Sequence, residues 1–182
     1  YVPGRLHGMH PDGEDLLLSN DAFGQHIAGP DRFDDKMDWG ILRTEAGKYY
    51  ANIVMPYGQQ VRRALDALSG VKIDTIAPSH GIIWRSRIPE LLEEYRKWSH
   101  DETERKALVV YDSMWGTTSA MAGQLKAGLE EEDVSVVMRN LQTNHISDII
   151  TDVLDTRLIL LGSPTLNSSI LPTMGAFLAY LK

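Results

Sequence analysis

The sequence contains no cysteine. That absence excludes disulfides, thiolate zinc sites, Cys-held iron–sulfur clusters and rubredoxin-type iron from this stretch. Any metal held here must rest on histidine and carboxylate. Long apolar runs are missing too: none approaches the ~20 residues a helix needs to cross a bilayer. Basic residues are the minority, 18 Lys and Arg against 25 Asp and Glu, for a formal net charge of −7. Wrapping nucleic acid requires clustered cations to neutralise phosphates, so this balance argues against such a partner. There is no internal repeat, no G-x-G-x-x-G and no lysine-bearing phosphate loop, which leaves NAD and nucleoside triphosphate readings weak. The first ten residues, YVPGRLHGMH, carry neither an initiator Met nor a signal-peptide pattern. The expectation is an internal piece of a longer, cytoplasmic protein.

What remains is ordinary globular composition, 43% hydrophobic and 24% charged over 182 residues, enough for one large domain or two small ones. Its character changes at Ser99–Arg105, SHDETER, a wholly polar run in which four residues are charged and one is His. This reads as a solvated connector. The expected organisation is a domain over residues 1–98, a linker over 99–105 and a domain over 106–182.

Upstream of the connector, Asp15–Ser19 (DLLLS) reads as a short buried strand running into the turn-prone Ser19-Asn20-Asp21. Residues Asp31–Asp38 read as loop or helix start. Tyr50, Ile53, Val54, Tyr57, Val61, Leu65 and Leu68 recur at helical spacing and predict a helix over 46–68, kinked or interrupted by Pro56 and capped by Gly70. Val71–Ala77 alternates as a strand and closes on Pro78-Ser79-His80-Gly81, and Pro89–Trp98 is a short amphipathic helix.

Downstream, apolar strands at Ala107–Tyr111, Val134–Met138 and Leu158–Leu161 alternate with helices at Thr117–Glu130, Ile146–Leu154 and Leu171–Lys182. Alternation of this kind implies a parallel sheet with right-handed crossovers. A doubly wound sheet of order 2-1-3-4-5 needs two strands more. The second domain is therefore expected to be open at its end, with any ligand at its strand ends held weakly by the 182-residue chain.

Two loops carry the chemistry of this half. Between the first strand and its helix lies Tyr111-Asp112-Ser113-Met114-Trp115-Gly116-Thr117-Thr118. Unpaired amides at a helix N-terminus bind phosphate, the hydroxyls of Ser113, Thr117 and Thr118 add donors, and Gly116 allows close approach. The plainer reading, helix capping, accounts for one such hydroxyl better than for three. The loop after the third strand runs Gly162-Ser163-Pro164-Thr165-Leu166-Asn167-Ser168-Ser169. First and third strands flank the switch point of this sheet order, where ligands bind.

The two loops together resemble the flavodoxin family, and the wording S-M-W-G-T-T with G-S-P-T-x-N resembles flavodiiron proteins in particular. Ser19–Gln25 (S-N-D-A-F-G-Q), Tyr49–Tyr57 and His80–Arg85 (H-G-I-I-W-R) are similar to flavodiiron motifs in the family's order. The resemblance covers nearly the whole chain from Asp15 onward. It implies an α/β chain: the C-terminal part of a metallo-β-lactamase-like αββα domain, then the first half of a flavodoxin-like doubly wound parallel sheet. It implies FMN, with its phosphate on Ser113, Met114, Trp115, Gly116, Thr117 and Thr118 and its ring lined by Pro164, Thr165, Leu166, Asn167 and Ser168. Trp115 keeps two readings, stacked near the flavin or packed on the surface. Ser168-Ser169 stands where the family carries Asn-Gly, a departure at a backbone contact to the ring.

Taken alone, Asp21 and His80 are weak metal candidates, since an Asp after Asn is usually a turn residue and a lone His before Gly a loop residue. The resemblance implies that Asp21 bridges two non-haem irons and that His80 is a terminal ligand, with Tyr49 or Tyr50 behind them; both tyrosines also read as helix-packing aromatics. The family's H-x-E-x-D-H motif is absent, its expected place being upstream of Tyr1. Arg5–Gly13 looks like a loop insertion, and His7 or His10 is a candidate replacement for a further family His. His26, His100 and His145 read as surface or packing residues.

The implied whole protein is an oxidoreductase that takes electrons from a rubredoxin-like donor through FMN to the irons, reducing O₂ to water or NO to N₂O. It implies no membrane partner and a head-to-tail homodimer or dimer of dimers. Two rivals from other classes remain at this point. One is a lactamase-fold metal hydrolase with a flavodoxin-like appendage; the other is an electron-transfer flavoprotein with an inactive metal domain.

Overall fold

A computed structural model describes residues 15–181; His7, His10 and the Arg5–Gly13 segment lie outside them. The chain divides into two compact units between Asp101 and Glu102.

In the first unit, β1 (Leu16–Asn20) pairs in parallel with β2 (Thr75–Pro78), and a bulge between Leu18 and Asn20 sets Asn20 opposite Pro78. The second strand is shorter than the alternation of Val71–Ala77 suggests. Gly70 takes a φ of +82° at the end of the preceding helix, and the Val71 amide still donates back to Leu68, so the chain is leaving a helix where a strand was expected.

The expected 46–68 helix is also redistributed. Asp38 caps a helix by accepting from the Ile41 amide at 3.2 Å, and α1 (Trp39–Tyr49) begins there. It widens into a π turn (Tyr50–Val54), tightens into a 3₁₀ turn (Met55–Tyr57) carrying Pro56, and resumes as α2 (Gly58–Leu68). Proline has no amide to donate and its ring crowds the preceding turn, so the interruption falls around it. α3 (Ile88–Ser99) carries Pro89 in its first turn, and the buried Asp34 carboxylate accepts the amides of Arg85, Ser86 and Arg87 just before it. Leu42, Tyr50, Ile76, Trp84, Leu91 and Tyr95 are fully enclosed in this unit.

In the second unit, β3 (Glu104–Tyr111) lies between β4 (Ser135–Asn140) and β5 (Thr156–Gly162), all parallel. This is the order expected of the first three strands of a flavodoxin-like sheet. The crossovers are α4 (Thr117–Glu131) and α5 (Ile146–Val153), and α6 (Pro172–Tyr180) follows β5. Ala107 to Val110 are buried, as are Ile149, Ile150, Met174 and Phe177; each such large apolar side chain contributes roughly 1.5–3 kcal/mol. The polar run 99–105 is shared out. Ser99 closes α3, while Glu104 opens β3 by pairing with Thr156 and donating its amide to Asp155. Among the described residues no helix is long and apolar enough to cross a membrane.

Candidate functional site

In the second unit, the carboxyl ends of β3 and β5 bring both candidate loops together. Gly162 makes the close approach possible: a Cβ there would lie 3.1 Å from both the Thr118 methyl and the Tyr111 Cβ. Gly116, at φ +86°, is the N-cap of α4 and offers no side chain to the helix end. The first amides of α4 have no partner within the helix and point outward, and nothing lies within 4 Å of where a Gly116 Cβ would be. Ser113 Oγ accepts the Gly116 amide at 3.0 Å, leaving its own proton to donate. Trp115 is 90% exposed.

The second loop is folded by Ser163, whose hydroxyl donates to the Pro164 carbonyl and accepts the Leu171 amide, both at 3.0 Å. Leu166 and Ser169 exchange two backbone hydrogen bonds of 2.8 and 2.9 Å, and Asn167 and Ser168 between them have φ of +50° and +61°. That is a type I′ turn, whose second central residue is ordinarily glycine. Leu166 and Ile170 are exposed beside it. An uncapped helix end, hydroxyl donors and an apolar loop rim fit a phosphate attached to a planar ring system.

One residue of this region escaped the motif reading. Asp112 is 1% exposed. Its Oδ1 accepts the Ser113 amide at 2.7 Å and Gln142 Nε2 at 2.5 Å, and its Oδ2 accepts the Thr173 hydroxyl. In the sequence it stands inside the quoted loop with no role given to it.

In the first unit, Asp21 and His80 leave the ends of β1 and β2 and meet, with His80 Nε2 3.5 Å from Asp21 Oδ1. Tyr49 reaches the same oxygen, its hydroxyl donating at 3.3 Å. Tyr50 does not. It is enclosed against Tyr95 and Trp98, with ring centroids at 5.0 and 5.2 Å. Neighbouring residues on a helix point about 100° apart, so the sequence could not choose between the two tyrosines and the fold does. Exposed His26 sits edge-on to Tyr49 at 4.9 Å, with its ring 6.2 Å from that of His80. His100 hydrogen-bonds the Arg96 carbonyl through Nδ1, and His145 caps α5.

The segment that carries His80 is held by Gln25, which is fully buried. Its Oε1 accepts the Ile82 amide at 2.8 Å, its Nε2 donates to the Ile82 carbonyl at 3.1 Å, and its amide donates to the His80 carbonyl. Phe23, at φ +65°, has both backbone groups satisfied from elsewhere: its amide donates to the Tyr95 hydroxyl and its carbonyl accepts Trp84 Nε1. No group of three or more His, Asp or Glu suited to a metal occurs among the described residues. Asp21 and His80 thus offer one carboxylate and one imidazole, the right donor chemistry for non-haem iron but too few ligands for a pair of ions.

The flavodoxin family model matches residues 109–182. The nitric oxide reductase of Moorella thermoacetica is 45% identical over 91% of this chain and 42% of its own length. The rubredoxin-oxygen oxidoreductase of Megalodesulfovibrio gigas is 35% identical over 93% of this chain and 43% of its own. Among solved structures, rubredoxin oxygen:oxidoreductase from Desulfovibrio gigas superposes with a TM-score of 0.88 at 34% identity, covering 91% of this chain and 42% of that one. The flavodiiron protein of Giardia intestinalis gives 0.87 at 34%, over 91% and 41%. The chain spans about 42% of the length of the curated relatives it matches. With this identity across nearly all of the chain, and the fold shared with it, the chain belongs to the flavodiiron protein family.

Proposed function

We propose that this chain serves a flavodiiron oxidoreductase, holding FMN on its second unit and contributing Asp21 and His80 to a diiron centre on its first. Residues 1–98 are then part of a metallo-β-lactamase-like domain, and residues 106–182 are the front of a flavodoxin-like one, with 99–105 between them. The remaining iron ligands come from other parts of the protein. Bound FMN supplies one-electron transfer from a rubredoxin-like donor, and bound iron supplies the chemistry that reduces O₂ to water or NO to N₂O.

The observation that carries the reading is the meeting of two strand-end loops at Gly162 around the uncapped N-terminus of α4. The α4 amides and the hydroxyls of Ser113, Thr117 and Thr118 take the phosphate, with the helix end supplying partial positive charge. Pro164 to Ser168 would line the ring, in a loop whose backbone is left-handed at Asn167 and Ser168. On the first unit, Tyr49 orients the Asp21 carboxylate through its hydroxyl, and Gln25 fixes the backbone that carries His80.

The test uses a protein extended to the length of its relatives. FMN is expected to bind with quenched fluorescence, and Gly116→Val, which fills the open space at the helix end, is expected to weaken it at least tenfold. Metal analysis should find two irons per chain, largely lost in Asp21→Asn and His80→Ala. Zinc in place of iron, or iron retained by both variants, would overturn the metal half; absence of FMN binding would overturn the flavin half.

A further inference from the structure

Asp112 is a buried carboxylate to which the proposed function assigns no role. Its three donors come from three different connections of the sheet. Ser113 belongs to the β3–α4 loop, Gln142 to the β4–α5 loop and Thr173 to the first turn of α6. A buried charge is tolerated only when its hydrogen-bonding capacity is met, and a carboxylate, which only accepts, matches three donors where an amide side chain would present its own N–H groups. Each arm is itself anchored. Gln142 also donates to the Ser113 carbonyl at 3.1 Å, and its amide donates to Asn140 Oδ1 at 2.8 Å. The Asp112 amide donates to the Gly162 carbonyl at 2.9 Å, tying the residue to β5.

From Asp112 the chain of contacts leads into the helix end. Asp112 holds the Ser113 amide, Ser113 Oγ holds the Gly116 amide, and Gly116 is the N-cap of α4. A carboxylate beside an anion site works against phosphate binding by charge alone, so its presence there calls for a compensating role. We propose that Asp112 is the positioning residue of the phosphate cradle, clamping three strand-end connections so that the Ser113–Gly116 loop and the α4 amides are preset for a phosphate. This rests on the FMN reading of the site.

Position and charge make opposite demands on one substitution. Asp112→Asn keeps a side chain of the same shape. Its Oδ1 still accepts from Ser113 and Gln142, and its Nδ2 can donate to Thr173 once that hydroxyl turns from donor to acceptor. Asp112→Ala removes every arm. The readout is the preference for FMN over riboflavin, which differ only in the phosphate, measured by fluorescence titration of the extended protein. Thermal unfolding of the flavin-free form is followed in parallel.

The parent is expected to prefer FMN by a wide margin. Asp112→Ala should lose at least tenfold of that preference with riboflavin affinity unchanged, and Asp112→Asn should keep it or increase it. Thr173→Val and Gln142→Ala, which each remove one exposed arm, should lose intermediate amounts and guard against misfolding of the alanine variant. A lowered melting temperature with an intact FMN preference in these variants would make Asp112 merely structural and overturn the proposal. So would an Asp112→Asn variant as impaired as the alanine. A parent that binds FMN no better than riboflavin removes the flavin reading itself, and the role of Asp112 with it.

Discussion

At Gly81 the φ is +85°, and an added Cβ would lie 1.3 Å from Oε1 of Gln25 and 2.3 Å from its carbonyl oxygen. The side-chain end could swing aside only by abandoning its two hydrogen bonds to Ile82, and the backbone oxygen cannot swing at all. Gly81→Ala therefore combines left-handed strain with the loss of buried hydrogen bonds, together about 2–4 kcal/mol. Urea unfolding should register that loss, and the iron content of the extended protein should fall because the His80 backbone shifts with it. Unchanged values for both would show that Gln25 does not set the position of His80. The letters of this arrangement were readable, since Gln25 and Gly81 both sit inside the quoted motifs. What the sequence could not say is that they touch, because a contact between residues 25 and 81 depends on β1 and β2 pairing in parallel. Asp112 was missed for the same reason: its partners at 142 and 173 become neighbours only when the sheet closes.

At the scale of elements, the π turn at Tyr50–Val54 delivers Tyr50 into an aromatic group with Tyr95 and Trp98. Burial, reinforced by the negative charge of Asp101, pushes the Tyr50 hydroxyl up to about 12, and burial drives Tyr95 above the ordinary tyrosine range as well. A phenol whose folded-state value is raised holds its proton where the unfolded chain has released it. The stability it contributes is complete below about pH 10 and is lost as pH rises toward 12. The unfolding midpoint should fall through that window, with two tyrosines ionising late by tyrosinate absorbance. The Tyr50 hydroxyl has no hydrogen-bond partner among the described residues. Tyr50→Phe is thus expected to be neutral or stabilising by up to about 1 kcal/mol at neutral pH and to lessen the alkaline loss. A clear destabilisation would reveal a partner for that hydroxyl. The strands and helices of the second unit were legible in kind and order, with boundaries off by up to three residues, as where β3 begins at Glu104 rather than Ala107, because buried parallel strands and amphipathic helices leave unlike patterns. In the first unit, Pro56 announced a break but not its form. An i to i+5 hydrogen bond has no residue-type mark, and the start of α1 depends on one Asp38 cap in a stretch crowded with Asp.

At the scale of the whole molecule, the proposed function puts flavin on one folded unit and iron on the other, so turnover requires the two sites to come close. A domain of about 100 residues has a radius of gyration near 13 Å, farther than side chains reach. We propose a two-fold head-to-tail pair, which would set the flavin unit of one subunit beside the iron unit of its partner, with the two-fold axis repeating the contact so that both routes form at once. Two variants of the extended protein separate this arrangement from transfer within one chain. Asp21→Asn disables the iron side and Gly116→Val the flavin side, so each pure homodimer should be inactive in O₂ or NO reduction. In a mixed dimer, the Asp21→Asn subunit still carries an intact flavin, which faces intact iron on its Gly116→Val partner, while the other route is doubly broken. Co-expression with two affinity tags, followed by purification through both, should recover up to about half the parental activity per dimer, one working route of two. Transfer within a chain has no intact pair in any subunit and leaves the mixed dimer inactive. Purified mixed dimers that stay inactive, with FMN and iron each measured at half occupancy, would sink the head-to-tail route.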